Sequence, residues 1–384
     1  MVWPMFIKRK EDIKRLTSLM NLFPVTAILG ARQCGKTTLA LEFSADHYFD
    51  LENPRDLARL ETPQLTLEPL SGLVVIDEIQ RLPDLFPLLR HLVDTHEKQR
   101  YLFLGSASRD LIRQSSETLA GRIGYYYLGG FMPGDIEDRD RLWLRGGFPR
   151  AYLAENDHDA FVWLDQYIAT FMERDIPQLG ISIPARTLRR FWIMLSHYHG
   201  QIINYSELAR SFGISDMTVR NYIDILTATF MVRTLHPWHV NLSKRIVKRP
   251  KIYLRNSGIF HSFITTTSHD QLLSHPKLGA SWEGFALEAV SYATDKREED
   301  FFFFRTHAGA ELDLFWQDQG RNWGVEFKYM DAPRRTRSMT TVINDLNLEH
   351  LWVVYPGKEP YPLADNISVL PFSQVGGEWN YERS

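Results

Sequence analysis

An α/β fold, built on a parallel sheet and followed by a helical middle part and a second α/β region, is what this sequence predicts, and three observations carry the prediction. First, Gly30-Ala31-Arg32-Gln33-Cys34-Gly35-Lys36-Thr37 completes the pattern G-x-x-x-x-G-K-[ST] between a short apolar strand, Pro24–Leu29, and a helix expected over Thr37–Phe43. Second, strand and helix patterns alternate through roughly the first 130 residues, as a parallel sheet with crossover helices requires. Third, acids recur in order towards the C-terminal end, on a helix-like stretch and then on two strands.

The glycine-rich loop dictates its own chemistry. Glycines let the backbone curl so that N–H groups face a polyphosphate, Lys36 reaches the β and γ phosphates, and the Thr37 hydroxyl is a Mg²⁺ ligand. Gly30, Ala31, Arg32, Gln33, Cys34, Gly35, Lys36, Thr37 and Thr38 are therefore the candidate nucleotide-binding set. The stretch Leu73-Val74-Val75-Ile76-Asp77-Glu78 is an apolar strand ending in two acids. This is a Walker B arrangement, with Asp77 directed to Mg²⁺ and Glu78 placed to orient an attacking water. The chain is expected to bind a nucleoside triphosphate.

Further strands of this first part are expected near His47–Leu51, Tyr101–Leu104 and Tyr125–Leu128, with a helix over Leu85–Thr95 whose Leu85, Leu88, Leu89 and Leu92 share a face. The strand at Tyr101–Leu104 ends in Gly105-Ser106-Ala107-Ser108. Ser106 is either a sensor beside the γ-phosphate or the N-cap of a plain strand-to-helix turn. Arg122, in Leu119-Ala120-Gly121-Arg122, is either an arginine supplied to a neighbouring subunit's γ-phosphate or a salt-bridged surface residue.

Bulk properties narrow the class. At 384 residues the chain is too long for one ordinary core. Its 44% hydrophobic and 24% charged content is that of a globular protein, and a formal net charge of −3 excludes a globally basic coat while permitting a local basic patch. The single cysteine, Cys34, makes no internal disulfide and suits a reducing compartment. No stretch approaches the roughly 18 consecutive apolar residues of a membrane helix. The N-terminal basic residues, Lys8-Arg9-Lys10, follow the apolar ones, the reverse of a secretory signal. A cytoplasmic protein without membrane contact is the expectation.

The runs Gly30 to Leu39, Val75-Ile-Asp-Glu-Ile-Gln80, Gly105-Ser-Ala-Ser108, Leu119-Ala-Gly-Arg122 and Gly146-Gly-Phe-Pro149 together resemble a widespread prokaryotic AAA-type ATPase family. Its C-terminal domain is similar to PD-(D/E)XK nucleases. The resemblance covers nearly the whole chain. It implies ATP with Mg²⁺ rather than GTP, since no Asn-Lys-x-Asp guanine-reading motif occurs. In the stretch Leu254-Arg-Asn256-Ser-Gly258, Asn256 stands where family members usually carry Asp, so a charged contact there would become a neutral one.

Three segments follow: an AAA-type P-loop domain over 1–145, a helical linker with a winged helix-turn-helix over 146–264, and a restriction-endonuclease-like α/β domain over 278–384. Ala160–Phe171 is an amphipathic helix. In the helix-turn-helix, Ala209 permits close crossing, Gly213 turns, Ser215 caps the second helix and Val219 anchors it. A basic run with Lys244, Arg245, Lys248, Arg249 and Lys251 reads as the wing, and its Lys244, Arg245, Lys248 and Arg249 form the candidate DNA contact with Arg220. Asp216 and Asp224 beside Arg220 keep a protein-binding role open. The polar stretch Thr265–Lys277 is the expected linker.

In the last segment, Ser281–Val290 supplies a helix acid, Glu283 with Glu288 as its rival; Ala310–Phe315 supplies Asp313; Trp323–Tyr329 supplies Glu326 and Lys328. Strand alternation puts Glu326 and Lys328 on one face. Asp313 and Glu326 on neighbouring strands are candidate Mg²⁺ ligands, and Lys328 would assist the chemistry without ligating. The set resembles the PD-(D/E)XK arrangement, although Leu312 rather than Pro precedes Asp313. The resemblance implies either DNA cleavage or a regulatory switch whose nuclease-like domain is an inactive scaffold. A homo-oligomer is left open.

Overall fold

Residues 7–106, 115, 117–178, 180–238 and 248–375 are described by the structure, a computed structural model. The chain forms two compact units. The first comprises the residues up to Phe131 with Phe148–Arg150 and Ala228–Phe230; the second comprises Met132–Gly147, Ala151–Thr227 and the chain from Met231 onward.

In the first unit, β1 (Val25–Gly30), β2 (His47–Asp50), β3 (Gly72–Asp77), β4 (Gln99–Ser106) and β5 (Ile123–Tyr127) form a sheet of order β2-β3-β4-β1-β5. Every pairing is parallel. Each residue of β1 is buried, as the continuous apolar pattern of a parallel strand covered on both faces demands. β4 lies between β1 and β3, with Ser106 opposite Gly30 and Leu104 opposite Asp77. The C-terminal ends of these three strands therefore meet at one edge. The helix Leu85–Thr95 forms where its apolar spacing predicts and buries Leu85, Phe86, Leu89 and Leu92. The helix after the loop is shorter than expected, Lys36–Ala40. The Glu42 and Phe43 N–H groups bond the carbonyls of Leu39 and Ala40 three residues back, which tightens and ends the helix.

In the second unit, the helix Asp157–Thr170 buries Ala160, Phe161, Leu164, Tyr167 and Ile168. After a short helical extension come the helices Ala185–Ser196, Tyr205–Phe212 and Asp216–Ala228, with β6 (Gln201–Ile202) after the first of these, and then β7 (Val232–Pro237) and β8 (Lys251–Leu254). Gly213 ends the middle helix at φ 65° and Ser215 accepts from the Thr218 N–H at 3.1 Å. Val219 is fully buried. Then come β9 (Phe301–Arg305), β10 (Glu311–Asp318), β11 (Arg321–Phe327), β12 (Leu348–Tyr355), β13 (Tyr361–Ala364) and β14 (Ile367–Pro371).

These strands make one sheet of order β13-β14-β12-β11-β10-β9-β7-β8-β6. Parallel pairing of β7 with β9, His236 opposite Phe302, fuses the segments expected at 146–264 and 278–384. The expected linker, Thr265–Lys277, is folded: it carries a helix, His269–Leu273, capped by Ser268 and anchored by fully buried Leu272. Polar composition concealed a helix held by one apolar residue. Behind it the helix Leu278–Ala293 runs against the body of the unit. A Cβ at Gly284 would lie 2.3 Å from His199 Nε2, so the helix approaches that closely only with glycine there. Asn256 caps the helix Ser257–Phe263, accepting from the Ile259 N–H at 3.0 Å, so its neutral side chain serves as an N-cap. Among the described residues, no helix is long and apolar enough to cross a membrane.

Candidate functional site

Backbone sterics shape the loop after β1. A Cβ at Gly30 would lie 2.2 Å from the Leu128 carbonyl oxygen, and Gly35 sits at φ 103°, so both positions require glycine. Gln33 also adopts a positive φ. Cys34 is buried inside the loop as a free thiol. The Lys36 ammonium donates to the carbonyls of Gly30 at 3.1 Å and Ala31 at 2.9 Å, poised at the loop mouth. Arg32 pairs with Glu52 at 2.8 Å; Thr37 and Thr38 are exposed.

The acid-tipped strand reaches this loop. Asp77 Oδ2 accepts from the Thr37 hydroxyl at 2.8 Å and from the Tyr48 hydroxyl at 2.7 Å, while Oδ1 accepts from the Glu78 N–H at 2.9 Å. All three donors are neutral, so the carboxylate charge is left for a cation. Burial, then the hydrogen bond to Asp77 and its charge, push the Tyr48 phenol far up, which keeps it a donor. Glu78 holds a left-handed backbone at φ 55°. Burial raises its pKa against the opposing charges of Lys36 and Arg32, and Gln80 donates to its carboxylate. A carboxyl with a raised pKa beside the loop is equipped to hold and accept protons.

Ser106 lies at the end of β4 opposite Gly30, the backbone position a sensor needs; its side chain, with Ala107 and Ser108, lies outside the description. Arg122 forms the salt bridge that is one of its two expected roles. Its guanidinium grips Asp94 through Nε at 2.6 Å and Nη2 at 2.8 Å. Its carbonyl accepts from the Val25 N–H at the start of β1, a strand length of roughly 17 Å from the loop at the strand's other end. Parallel strand order sets this distance within the chain, because Arg122 precedes β5 whereas the loop follows β1.

In the second unit Arg220 is exposed on Asp216–Ala228, its guanidinium 3.7 Å from the Tyr205 ring centroid. Lys248 and Arg249 are exposed, whereas Lys244 and Arg245 lie outside the described residues. Lys251, read as part of the same basic run, points inward: it heads β8 and is only 2% exposed.

Asp313 and Glu326, both buried, come together because β10 and β11 pair antiparallel with Leu314 opposite Val325. The Phe327 N–H donates to Asp313 Oδ2 at 3.1 Å, and Lys328 Nζ is 2.9 Å from Glu326 Oε2. Glu283 is the helix acid of this centre. Glu288, five residues on and on another helix face, is held bidentately by Arg233 at 2.6 and 2.9 Å. Sequence reasoning missed the residue at the middle. Lys251 Nζ lies 3.1 Å from Glu283 Oε1, 3.1 Å from Asp313 Oδ1 and 2.8 Å from Glu311 Oε1. Tyr253, on the same face of β8, donates to Glu283 at 2.5 Å.

Burial pulls the Lys251 ammonium down, but the charges of Glu283, Tyr253, Asp313 and Glu311 outweigh it and hold its pKa well above the usual lysine value. Burial raises Asp313, yet Lys251 and Lys328 bring it below the ordinary range. Glu326 is pushed up to about 8 by burial and by the Asp313 charge. Glu283 is pushed up to about 7 by burial despite Lys251. Among the described residues, no three acid, histidine or cysteine side chains are disposed to share one metal ion.

Two other supports escaped the sequence. Tyr48 reaches Asp77 from the neighbouring β2, and Arg9 ties the loop down from the N-terminal side, donating to the carbonyls of Cys34 at 3.2 Å and Gly130 at 2.9 Å. Neither belongs to a motif. A lysine heading the apolar strand Lys251-Ile-Tyr-Leu254 was the one available sign of inward placement.

The family described as an AAA domain matches residues 22–136. Domains of unknown function match residues 136–270, as DUF8612, and 278–375, as DUF4143. A Walker-type ATPase of Pyrococcus abyssi is similar in structure with a TM-score of 0.46 and 16% identity, over 67% of this chain and 96% of that one. Uncharacterized proteins of Mycobacterium tuberculosis and Mycobacterium bovis are each 45% identical over 377 residues, 97% of this chain and 85% of theirs. At that identity along nearly its whole length, the chain belongs to the same family as these mycobacterial proteins, and its AAA domain makes it an AAA-type ATPase.

Proposed function

We propose that the first unit binds ATP in the loop Gly30–Thr38 and hydrolyses it with Mg²⁺ held by Thr37 and Asp77. One observation carries this: the Thr37 hydroxyl meets the Asp77 carboxylate at 2.8 Å in a site where Asp77's donors are all neutral. That donor set fits a divalent cation, which would neutralise phosphate charge as the bond to the leaving group lengthens. Lys36 stabilises the same charge from the protein side. Glu78 orients the attacking water and takes its proton, a role its raised pKa suits. Ser106, at the strand end between Gly30 and Asp77, is the proposed sensor.

Replacing Lys36 by Ala should lower ATP turnover about 10²–10³-fold, the scale of removing one transition-state donor. Glu78→Gln should leave nucleotide binding intact while turnover collapses. Ordinary turnover in Lys36→Ala, followed by phosphate release, would end the assignment.

For the second unit we propose DNA as the partner. The order helix, strand, helix, helix, strand, strand from Ala185 to Leu254 supports a winged helix. Arg220, Lys248 and Arg249 are among its exposed cations, with Lys244 and Arg245 in the sequence between β7 and β8. The core behind it, with Asp313 and Glu326 on paired strands, Glu283 from a helix and Lys328 alongside, supports a restriction-endonuclease-like fold. The regulatory reading, in which this core contacts proteins instead of cutting DNA, gains weight from Lys251.

A further inference from the structure

The acidic centre of the second unit holds four carboxylates, Glu283, Glu311, Asp313 and Glu326, and two ammonium groups, Lys251 and Lys328. Lys328 attends Glu326 from the edge, its side chain 39% exposed. Lys251 is different. Its ammonium donates to Glu283 Oε1 and Asp313 Oδ1, each at 3.1 Å, and is ion-paired with Glu311 at 2.8 Å. An ammonium carries donors and no acceptor, so acceptor-only carboxylates match it.

We propose that the Lys251 ammonium permanently occupies the cation position of this centre, so that the core takes no divalent metal and serves as a scaffold rather than a phosphodiesterase. The inference rests on the restriction-endonuclease-like reading of the core. Two physical facts support it. A Mg²⁺ ion needs oxygens at about 2.0–2.1 Å, whereas these carboxylates stand around a nitrogen at hydrogen-bond distance. Asp313 and Glu283 cannot give the same oxygens to the ion and to the ammonium at once, and like charges at that range repel.

The lysine is also fastened. Its backbone lies in β8, opposite Ile202 of β6 and Leu235 of β7, so the residue sits mid-sheet rather than on a free loop. Its ammonium is 5.6 Å from the Phe303 ring centroid, and the side chain is 2% exposed. Withdrawing it would strand buried carboxylates without a counter-charge. Glu311 has a second cation, Arg305 at 3.4 Å, and Asp313 also feels Lys328, but Lys251 is the ammonium that hydrogen-bonds both Asp313 and Glu283.

The test is Mn²⁺ binding by the full chain, read by electron paramagnetic resonance, in an Asp77→Asn background that silences the P-loop site. The expected result is no Mn²⁺ site sensitive to Asp313→Asn while Lys251 is present. Adding Lys251→Met should then create one, tightening Mn²⁺ binding roughly 100-fold or more by uncovering the carboxylate charge, and Asp313→Asn should abolish it. A double variant, Lys251→Met with Glu311→Gln, lowers the uncompensated charge and serves if the single variant does not fold. An Asp313-dependent Mn²⁺ site in the chain that retains Lys251 overturns the inference and leaves the nuclease-like reading standing. Folded Lys251 variants that still bind no Mn²⁺ overturn both.

Discussion

Asp77 and Asp313 occupy comparable places, each near the end of a sheet strand or its start in a chemically loaded corner, yet they are treated in opposite ways. Asp77 is held by a threonine hydroxyl, a tyrosine hydroxyl and a backbone N–H. Asp313 is held by a backbone N–H and an ammonium. Neutral donors fix a carboxylate in position and leave its charge to be met from outside; an ammonium meets the charge from within. The difference separates an acid prepared for an incoming ion from one whose counter-charge the fold already supplies. Counting acids on strands cannot tell the two apart, because the distinction lies in the partner.

The sharpest way to break this comparison is to remove the partners and compare stability. Lys251→Met should destabilise the second unit by about 3–5 kcal/mol in urea unfolding, since one partner of a buried ionic cluster is lost. Asp77→Asn should cost no more than about 1 kcal/mol, since only neutral hydrogen bonds are rearranged. Equal losses would mean that Lys251 is not a structural counter-charge.

Acid should separate the regions next. In the second unit His199 and His261 are fully buried, and burial lowers their pKa values to about 3 and about 4. His261 is held neutral between the Leu144 carbonyl and Ser281 Oγ, at 2.8 and 2.6 Å. Each binds fewer protons folded than unfolded between its lowered pKa and 6.5. Their stabilising effect is thus complete above about pH 6.5 and falls as pH drops, by up to about 1.4 kcal/mol per pH unit for each. Glu283 and Glu326, with raised pKa values, slope the other way. The measurement is therefore a difference: urea midpoints of the parent and His261→Gln from pH 7 to pH 4.5. The variant should show the shallower acid loss, and parallel curves would remove His261 from the account. Among the described residues, the first unit's histidines are exposed or half-buried, so its transition should move less.

The smallest effect concerns DNA affinity. Replacing Lys244, Arg245, Lys248 and Arg249 by Ala should flatten the logarithmic salt dependence of binding by up to about 3.6, roughly 0.9 per phosphate contact. Lys251→Met should leave that slope unaltered, because its ammonium faces inward. A slope that falls with Lys251 and not with the four would reverse the assignment of inner and outer cations. An unchanged slope in the four-site variant would move the helix-turn-helix to protein contacts.

Local chemistry made much of the first unit legible. β1, β2, β3, β4 and β5 lie within two residues or so of where apolar runs put them, and the loop's glycines stand where a Cβ would strike backbone or where φ is positive. These features depend on neighbours in the chain, so a linear reading reaches them. Arg122 was harder: its residue type fits a phosphate contact and a salt bridge alike, and only strand direction shows that it stands at the far end of the sheet from its own loop, in the grip of Asp94. The stretch Thr265–Lys277 read as a linker because composition weighs many polar residues against one Leu272 that the fold buries completely.

By itself, then, the sequence determined a phosphate loop, an acid-tipped strand beside it and two late strands bearing Asp313 and Glu326, since glycine sterics, burial runs and strand alternation act over a few residues. Only the tertiary structure decided which charges meet. Lys251 lies 32 residues from Glu283 and 62 from Asp313 in the chain, and it joins them because β7 pairs with both β8 and β9, drawing two segments into one sheet. Coulomb energy depends on distance in space and on the surrounding medium, neither of which is written in residue order.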